Sequence, residues 1–209
     1  IEVNAETDFV IQNERFKEFM ENICSEALIH EPESSGEFLG KKYSKNDSLT
    51  LDEYRTEVVH SLGENIQVKR LVRFQKLPDQ SIGIYSHMGG RIVSLVVLKG
   101  ASDQIDVAKE VAMHIAAEAP DFLKSDDVPE DVKIKEEEIA RTQVQNKPPE
   151  IIDKIIQGKM KSFYEQTCLV NQKYVKDPSI SVEDFVKSEG KKAGKDLEIT
   201  GFTRWQIGE

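Results

Sequence analysis

The chain has 209 residues, enough for one or two compact domains with a sizeable core. Its formal charge of −10, with 38% hydrophobic and 32% charged residues, describes a globular protein whose average surface repels phosphate backbones, so nucleic acid is not expected as a direct partner. The longest apolar run, residues 92–98, is broken by Ser94 and has strand length, so no membrane span is expected; two cysteines far apart, Cys24 and Cys168, exclude a disulfide scaffold and fit a cytoplasmic location.

The chain begins at Ile1, without Met, in sequence that already reads as a strand over residues 1–7, so a preceding segment is expected. A helix follows, with Phe16, Phe19, Met20, Ile23, Cys24 and Ala27 on one face. Residues 31–47, rich in Gly, Ser and charge, read as an insertion peculiar to this half. Ser48 or Thr50 then caps a helix to about Ser61, with Leu51, Tyr54, Val58 and Leu62 on its apolar side. A strand led by Gly63 comes next. Residues 91–99 predict another strand, and the helix after it places Ala108, Val111, Ala112, Ile115, Ala116 and Ala119 on one face, matching the first helix at an offset of 92. Two helices over residues 130–145 and 149–168 are broken by Asn146-Lys147-Pro148-Pro149, a helical hairpin with its tip at Lys147. Its narrow seam, Val132, Ile139 and Val144 against Ile152, Ile155, Ile156 and Phe163, predicts a projecting coiled-coil arm. The closing strand, led by Gly194, repeats the earlier one: Ile66, Val68, Leu71 and Phe74 fall on Leu197, Ile199, Phe202 and Trp205, and both copies end in Arg, aromatic, Gln.

The expected fold class is therefore α+β: two related α/β subdomains with small antiparallel sheets packed by helices, plus a projecting antiparallel coiled-coil hairpin. Residues 1–78 form the first subdomain, 79–126 open the second, 127–170 are the hairpin and 171–209 close the second.

A search for catalytic chemistry finds none. His30, His60, His87 and His114 lack metal-ligand spacing, and His114, in an alanine-rich helix, reads as structural or surface. Gly89-Gly90-Arg91 lacks the order of a phosphate loop and reads as a tight turn before a strand. Cys24 is placed on the buried helix face, and Cys168 has no base beside it. No catalytic residue, metal or cofactor is expected. Thr7-Asp8-Phe9-Val10 admits two readings. Asp8 caps the helix and Phe9 packs over its first turn, or Phe9 is an exposed aromatic anchor with an acid beside it. In the second half Gly100 and Ala101 fall at the Asp8 and Phe9 positions, so the shared fold does not need the pair.

Val3-Asn4-Ala5-Glu6-Thr7-Asp8-Phe9-Val10, followed by Asn13-Glu14 and Phe16, resembles the signature of the elongation factor Ts family. Tyr85-Ser86-His87-Met88-Gly89-Gly90-Arg91-Ile92, Gly158-Lys159-Met160-Lys161-Ser162-Phe163-Tyr164 and Val175-Lys176-Asp177-Pro178 extend the likeness over essentially the whole chain. The family's small amino-terminal helical domain has no counterpart among these residues. The resemblance implies a guanine-nucleotide exchange factor, not an enzyme, whose partner is the GTPase elongation factor Tu. It implies that Thr7, Asp8, Phe9 and Val10 carry a wedge that disturbs the partner's magnesium and phosphate site. Leu62-Gly63, where the family usually has Ile-Gly, and His87, Val175 and Lys176 are implied as further contacts, and a homodimer is compatible with the family. The alternative is a scaffold or dimerisation module, for which Phe9 would belong to the protein's own core.

Overall fold

Period-2 alternation at the ends of the first 75 residues, and period-3.6 apolar faces between them, build a sheet with helices packed on one side. In the computed structural model, which describes residues 1–143 and 148–209, the first of two units is Ile1–Gln75. It runs β1 (Glu2–Ala5), α1 (Asp8–Ile11), α2 (Glu14–His30), α3 (Ser35–Leu39), β2 (Lys42–Tyr43), β3 (Asn46–Thr50), α4 (Leu51–Leu62) and β4 (Ile66–Arg70). β1 and β4 pair antiparallel, and Val3, Ile66 and Val68 close over Phe19, Ile23, Leu51 and Val58 in one core. Helix α4 starts in a capping box, Thr50 with Glu53, and stops at Gly63, whose φ of 73° is a left-handed conformation that a Cβ disfavours.

The second unit, Lys76–Glu209, contains β5 (Gln80–His87), β6 (Ile92–Lys99), α5 (Ile105–Glu118), α6 (Glu130–Thr142), α7 (Pro149–Thr167), β7 (Lys173–Tyr174), β8 (Asp177–Ser181), α8 (Val182–Ala193) and β9 (Glu198–Gln206). Its antiparallel sheet has the order β5-β6-β9. Val96, Leu98 and Ile199 from the sheet meet Ala108, Val111, Ala112 and Ile115 of α5 and Val182 and Val186 of α8. Strand β5 is an element the sequence reading lacked: its inward positions include Ser81 and Gly83, too small to register as an apolar stripe. Small residues are required there because α5 crosses so closely that a Cβ on Gly83 would overlap the backbone of Ala108.

The two units repeat one frame more fully than the sequence reading held. Lys42 opposes Thr50 and Tyr43 opposes Asn46, and in the second unit Lys173 opposes Ser181 and Tyr174 opposes Asp177, each residue 131 positions further on. The capping boxes Thr50–Glu53 and Ser181–Asp184, the left-handed glycines Gly63 and Gly194, and the ring stacks Tyr43–Tyr54 (4.3 Å) and Tyr174–Phe185 (4.2 Å) keep the same offset. Residues 42–47 thus belong to the repeat and are not a peculiar insertion. The sheets agree too: the β1–β4 ladder slips between Glu2 and Val3, and the β6–β9 ladder slips between Val97 and Leu98, 95 positions on. Helices α2 and α5 instead end at Glu31 and Ala119, both left-handed, an offset of 88. The expected offset of 92 is one helical turn away, which leaves the same face inward and so cannot be told apart by periodicity. Strands at 95 and helices at 88 leave the first unit with seven extra residues between them. Gly100 and Ala101 are therefore not counterparts of Asp8 and Phe9; the segment around α1 has none.

Two side-chain placements also change. Cys24 is exposed, because the buried stripe of α2 runs through Phe16, Phe19, Asn22, Ile23 and Glu26. Helices α6 and α7 pack through Ala140, Ile156 and Met160, with Ile152, Phe163 and Tyr164 beside them, while Ile139 is exposed. The expected tip at Lys147, and Val144, lie outside the described residues.

His114, fully buried in α5, ties this frame to the β7–β8 turn. The Val175 N–H donates to its Nδ1 at 3.2 Å, so Nε2 carries the hydrogen and donates to Gln172 Oε1 at 2.9 Å. Burial holds its pKa below the ordinary 6.5.

Two stability measurements test this packing. Gly83→Ala forces a methyl into the α5 backbone and should lower the urea-unfolding free energy by about 2–3 kcal/mol. Gly158→Ala, on α7 where an added Cβ meets nothing within 4 Å, should raise it by up to about 1 kcal/mol. For His114 the unfolded chain takes up a proton at 6.5 and the folded chain only below that, so its contribution is complete above 6.5 and lost as pH falls through the lowered folded value. The stability difference between the native chain and His114→Gln should therefore shrink on acidification below 6.5, by at most about 1.4 kcal/mol per pH unit. A difference independent of pH would refute the buried neutral imidazole.

Candidate functional site

The extra residues between β1 and α2 fold as α1, a single turn. Its carbonyls at Phe9 and Val10 accept from the N–H groups of Gln12 (3.3 Å) and Asn13 (2.9 Å). Asn13 then caps α2, accepting the Arg15 N–H at 2.8 Å. Val10 is buried in the first unit's core, while Phe9, one residue earlier on the turn, is 89% exposed. Neither half of the capping-and-packing reading holds. Thr7, not Asp8, occupies the N-cap position, and Phe9 covers nothing in its own unit's core. The scaffold alternative required a buried Phe9 and loses that support.

Leu62 and Gly63 lie beside this turn through the residue that follows them. Glu64 accepts the Thr7 N–H at 3.0 Å on Oε2 and the Thr7 hydroxyl at 2.6 Å on Oε1. Thr7, Asp8, Phe9, Val10, Leu62 and Gly63 thus form one locality of the first unit. Sequence reasoning missed Glu64, since nothing in its spacing signals a partner 57 residues away.

The remaining residues singled out in the sequence belong to the second unit. His87 ends β5, exposed, with its ring 6.1 Å from that of Tyr85 and Nδ1 3.4 Å from the Tyr85 hydroxyl. Met88, at φ 51° and exposed, and the left-handed Gly89 and Gly90 make the tight turn into β6. Val175 and Lys176 form the two-residue turn between β7 and β8. Val175 is held by His114, and Lys176 Nζ lies 2.6 Å from Glu110 Oε2, with the Tyr174 hydroxyl on the same carboxylate at 2.8 Å. Lys176 and Tyr174 together hold Glu110 below the usual carboxylate range, and burial pushes the Tyr174 hydroxyl up. Lys176 is thereby oriented rather than trailing in solvent.

Nothing in either locality forms a nucleophile, base and orienting group in sequence of contact. Burial pushes the Cys168 thiol up, away from reactivity. Among the described residues no three His, Cys, Asp or Glu side chains gather to hold a metal, and no helix is long and apolar enough to cross a membrane. An exposed ring on a fixed turn, and an exposed Val175–Lys176 turn held by the buried His114, are features that recognition by contact uses.

The family described as Elongation factor TS matches residues 6–209. The chain is 51% identical over 209 residues to elongation factor Ts of Protochlamydia amoebophila (strain UWE25), covering all of this chain and 74% of the relative. It is 40% identical over 208 residues to elongation factor Ts of Chlamydia felis (strain Fe/C-56) and 39% identical over 208 residues to that of Chlamydia caviae, with the same coverage. The family match over residues 6–209 and these relatives establish that the chain belongs to the elongation factor Ts family.

Proposed function

We propose that this chain promotes release of GDP from elongation factor Tu by binding the GTPase and inserting the Asp8–Phe9 turn beside its magnesium and phosphate site. The observation that carries the reading is the 89% exposure of Phe9 on a turn anchored at both ends. A large ring left in water by a fold that needs none of its area is a surface anchor awaiting a pocket. Asp8, next to it on the turn, brings a carboxyl group to wherever the ring inserts, where it would repel phosphate or compete for the metal.

Leu62 and Gly63 extend this contact. His87, Val175 and Lys176 serve as a second contact on the second unit, and the α6–α7 pair as an arm that leans on the same partner. Division of labour follows: the second unit's contacts supply affinity, and the turn supplies the difference in affinity between nucleotide-bound and nucleotide-free partner. Exchange requires no proton transfer by this chain, because the chain and the nucleotide are two ligands of one GTPase, each weakening the binding of the other.

Stopped-flow release of a fluorescent GDP from elongation factor Tu tests this reading. The native chain should accelerate release strongly, and Phe9→Ala should lose at least about tenfold of that acceleration, the scale of an aromatic anchor. Its unfolding free energy should stay within about 0.5 kcal/mol of native, as for an exposed side chain. No acceleration at saturating native chain would sink the exchange assignment.

A further inference from the structure

A single helical turn does not repay the cost of its own nucleation, so α1 must be held from outside. At its carboxyl side the anchor is the burial of Val10. At its amino side Thr7 makes no capping bond to its own helix. Its N–H (3.0 Å) and its hydroxyl (2.6 Å) both donate instead to the carboxyl group of Glu64. Both donors of one residue converge on both oxygens of another, a two-point clamp that fixes rotation as well as position.

The repeat supplies an independent control. Gly63 and Gly194 are equivalent helix stops, yet the residue after Gly194 is Lys195, whose N–H turns back to the Gly190 carbonyl at 2.8 Å. The second unit closes the same strand without a carboxyl group at that position, and it also lacks an α1 turn. The frame therefore does not require Glu64. It occurs where the Phe9 turn occurs.

From this we infer that Glu64 is a positioning residue for the exchange reaction: it sets the angle at which the Asp8–Phe9 turn is presented, without itself being the wedge. The inference rests on the exchange reading above. Thr7 and Glu64 act as one unit, so the effect of either is exerted through Phe9.

The test is GDP release from elongation factor Tu, measured as a function of the concentration of the native chain, Glu64→Ala, Glu64→Gln, Thr7→Val, Phe9→Ala and the Phe9→Ala/Glu64→Ala double variant, with thermal melts of each. A mis-aimed turn lowers the maximal release rate while docking elsewhere is kept, so Glu64→Ala should reduce the plateau about fivefold or more with the half-saturating concentration within about twofold of native. Thr7→Val should lower the plateau as well, and Glu64→Gln, which retains one acceptor oxygen, should fall between native and Glu64→Ala. Added to Phe9→Ala, the Glu64 change should have no further effect. A merely structural role would do the opposite, raising the half-saturating concentration as folded protein is lost and leaving the plateau intact. That result, or additivity with Phe9→Ala, or a plateau lowered by Phe9→Ala but not by Glu64→Ala, would overturn this inference alone. A plateau indifferent to Phe9→Ala would overturn the insertion of the Asp8–Phe9 turn and this inference with it, and no acceleration by the native chain would overturn the exchange reading itself.

Discussion

A side chain that must stay in water yet keep a fixed direction cannot be held by its own packing, so the backbone on either side of it has to be held instead. Phe9 stands under that constraint. One residue after it, Val10 is buried in the core of the first unit; two residues before it, Thr7 is clamped by Glu64. Further along, Asn13 caps α2 and fixes where the turn rejoins a long helix. Rotational freedom of an exposed phenyl ring is small, with two χ angles, so once the backbone is fixed little entropy remains to be lost on docking.

The frame that supplies these anchors is built twice, and its two versions show what it demands chemically. In each, a helix residue accepts the N–H of the first turn residue between two short strands: Glu26 for Ser44 at 3.1 Å, His114 for Val175 at 3.2 Å. Glu26 and His114 are 88 positions apart, the offset of the two helix ends, so a carboxyl group and an imidazole occupy the same place. What the site requires is an acceptor for the backbone donor that opens the turn, not a particular residue. The lysine that follows is oriented in the same way in both copies, Lys45 toward Asn22 and Lys176 toward Glu110, each at 2.6 Å. The presentation of Val175 and Lys176 is thus a property of the frame, whereas that of Phe9 is an addition to one copy.

Much of this was legible in residue patterns and some was not, for identifiable reasons. The strands at residues 66–70 and 198–206 announce themselves because period-2 alternation admits no slip without turning the apolar side chains outward. The helix correspondence was misplaced by one turn because a shift of four residues preserves the inward face. Cys24 was placed inside for a related reason: it adjoins Ile23, and a 100° step is enough to carry it past the edge of the buried stripe. The two-residue strands Lys42–Tyr43 and Lys173–Tyr174 are too short for any period, and they show only in the ring stacks and ladders they make. At the candidate site the residue types were readable but their states were not. Whether Phe9 lies in or out depends on seven residues having no counterpart in the other unit, and the Thr7–Glu64 clamp joins positions 57 apart.

On the exchange reading, rigidity of the turn matters more than its affinity. A contact that binds nucleotide-bound and nucleotide-free partner equally well shifts nothing, however tight it is. Only a group that requires the partner's loops to be displaced discriminates between the two states, and it does so in proportion to how little it yields itself. A flexible turn would accommodate to the undisturbed nucleotide site and dissipate the difference. Anchoring on both sides forces the accommodation onto the partner, and so converts the second unit's ordinary surface contacts into work against the bound nucleotide.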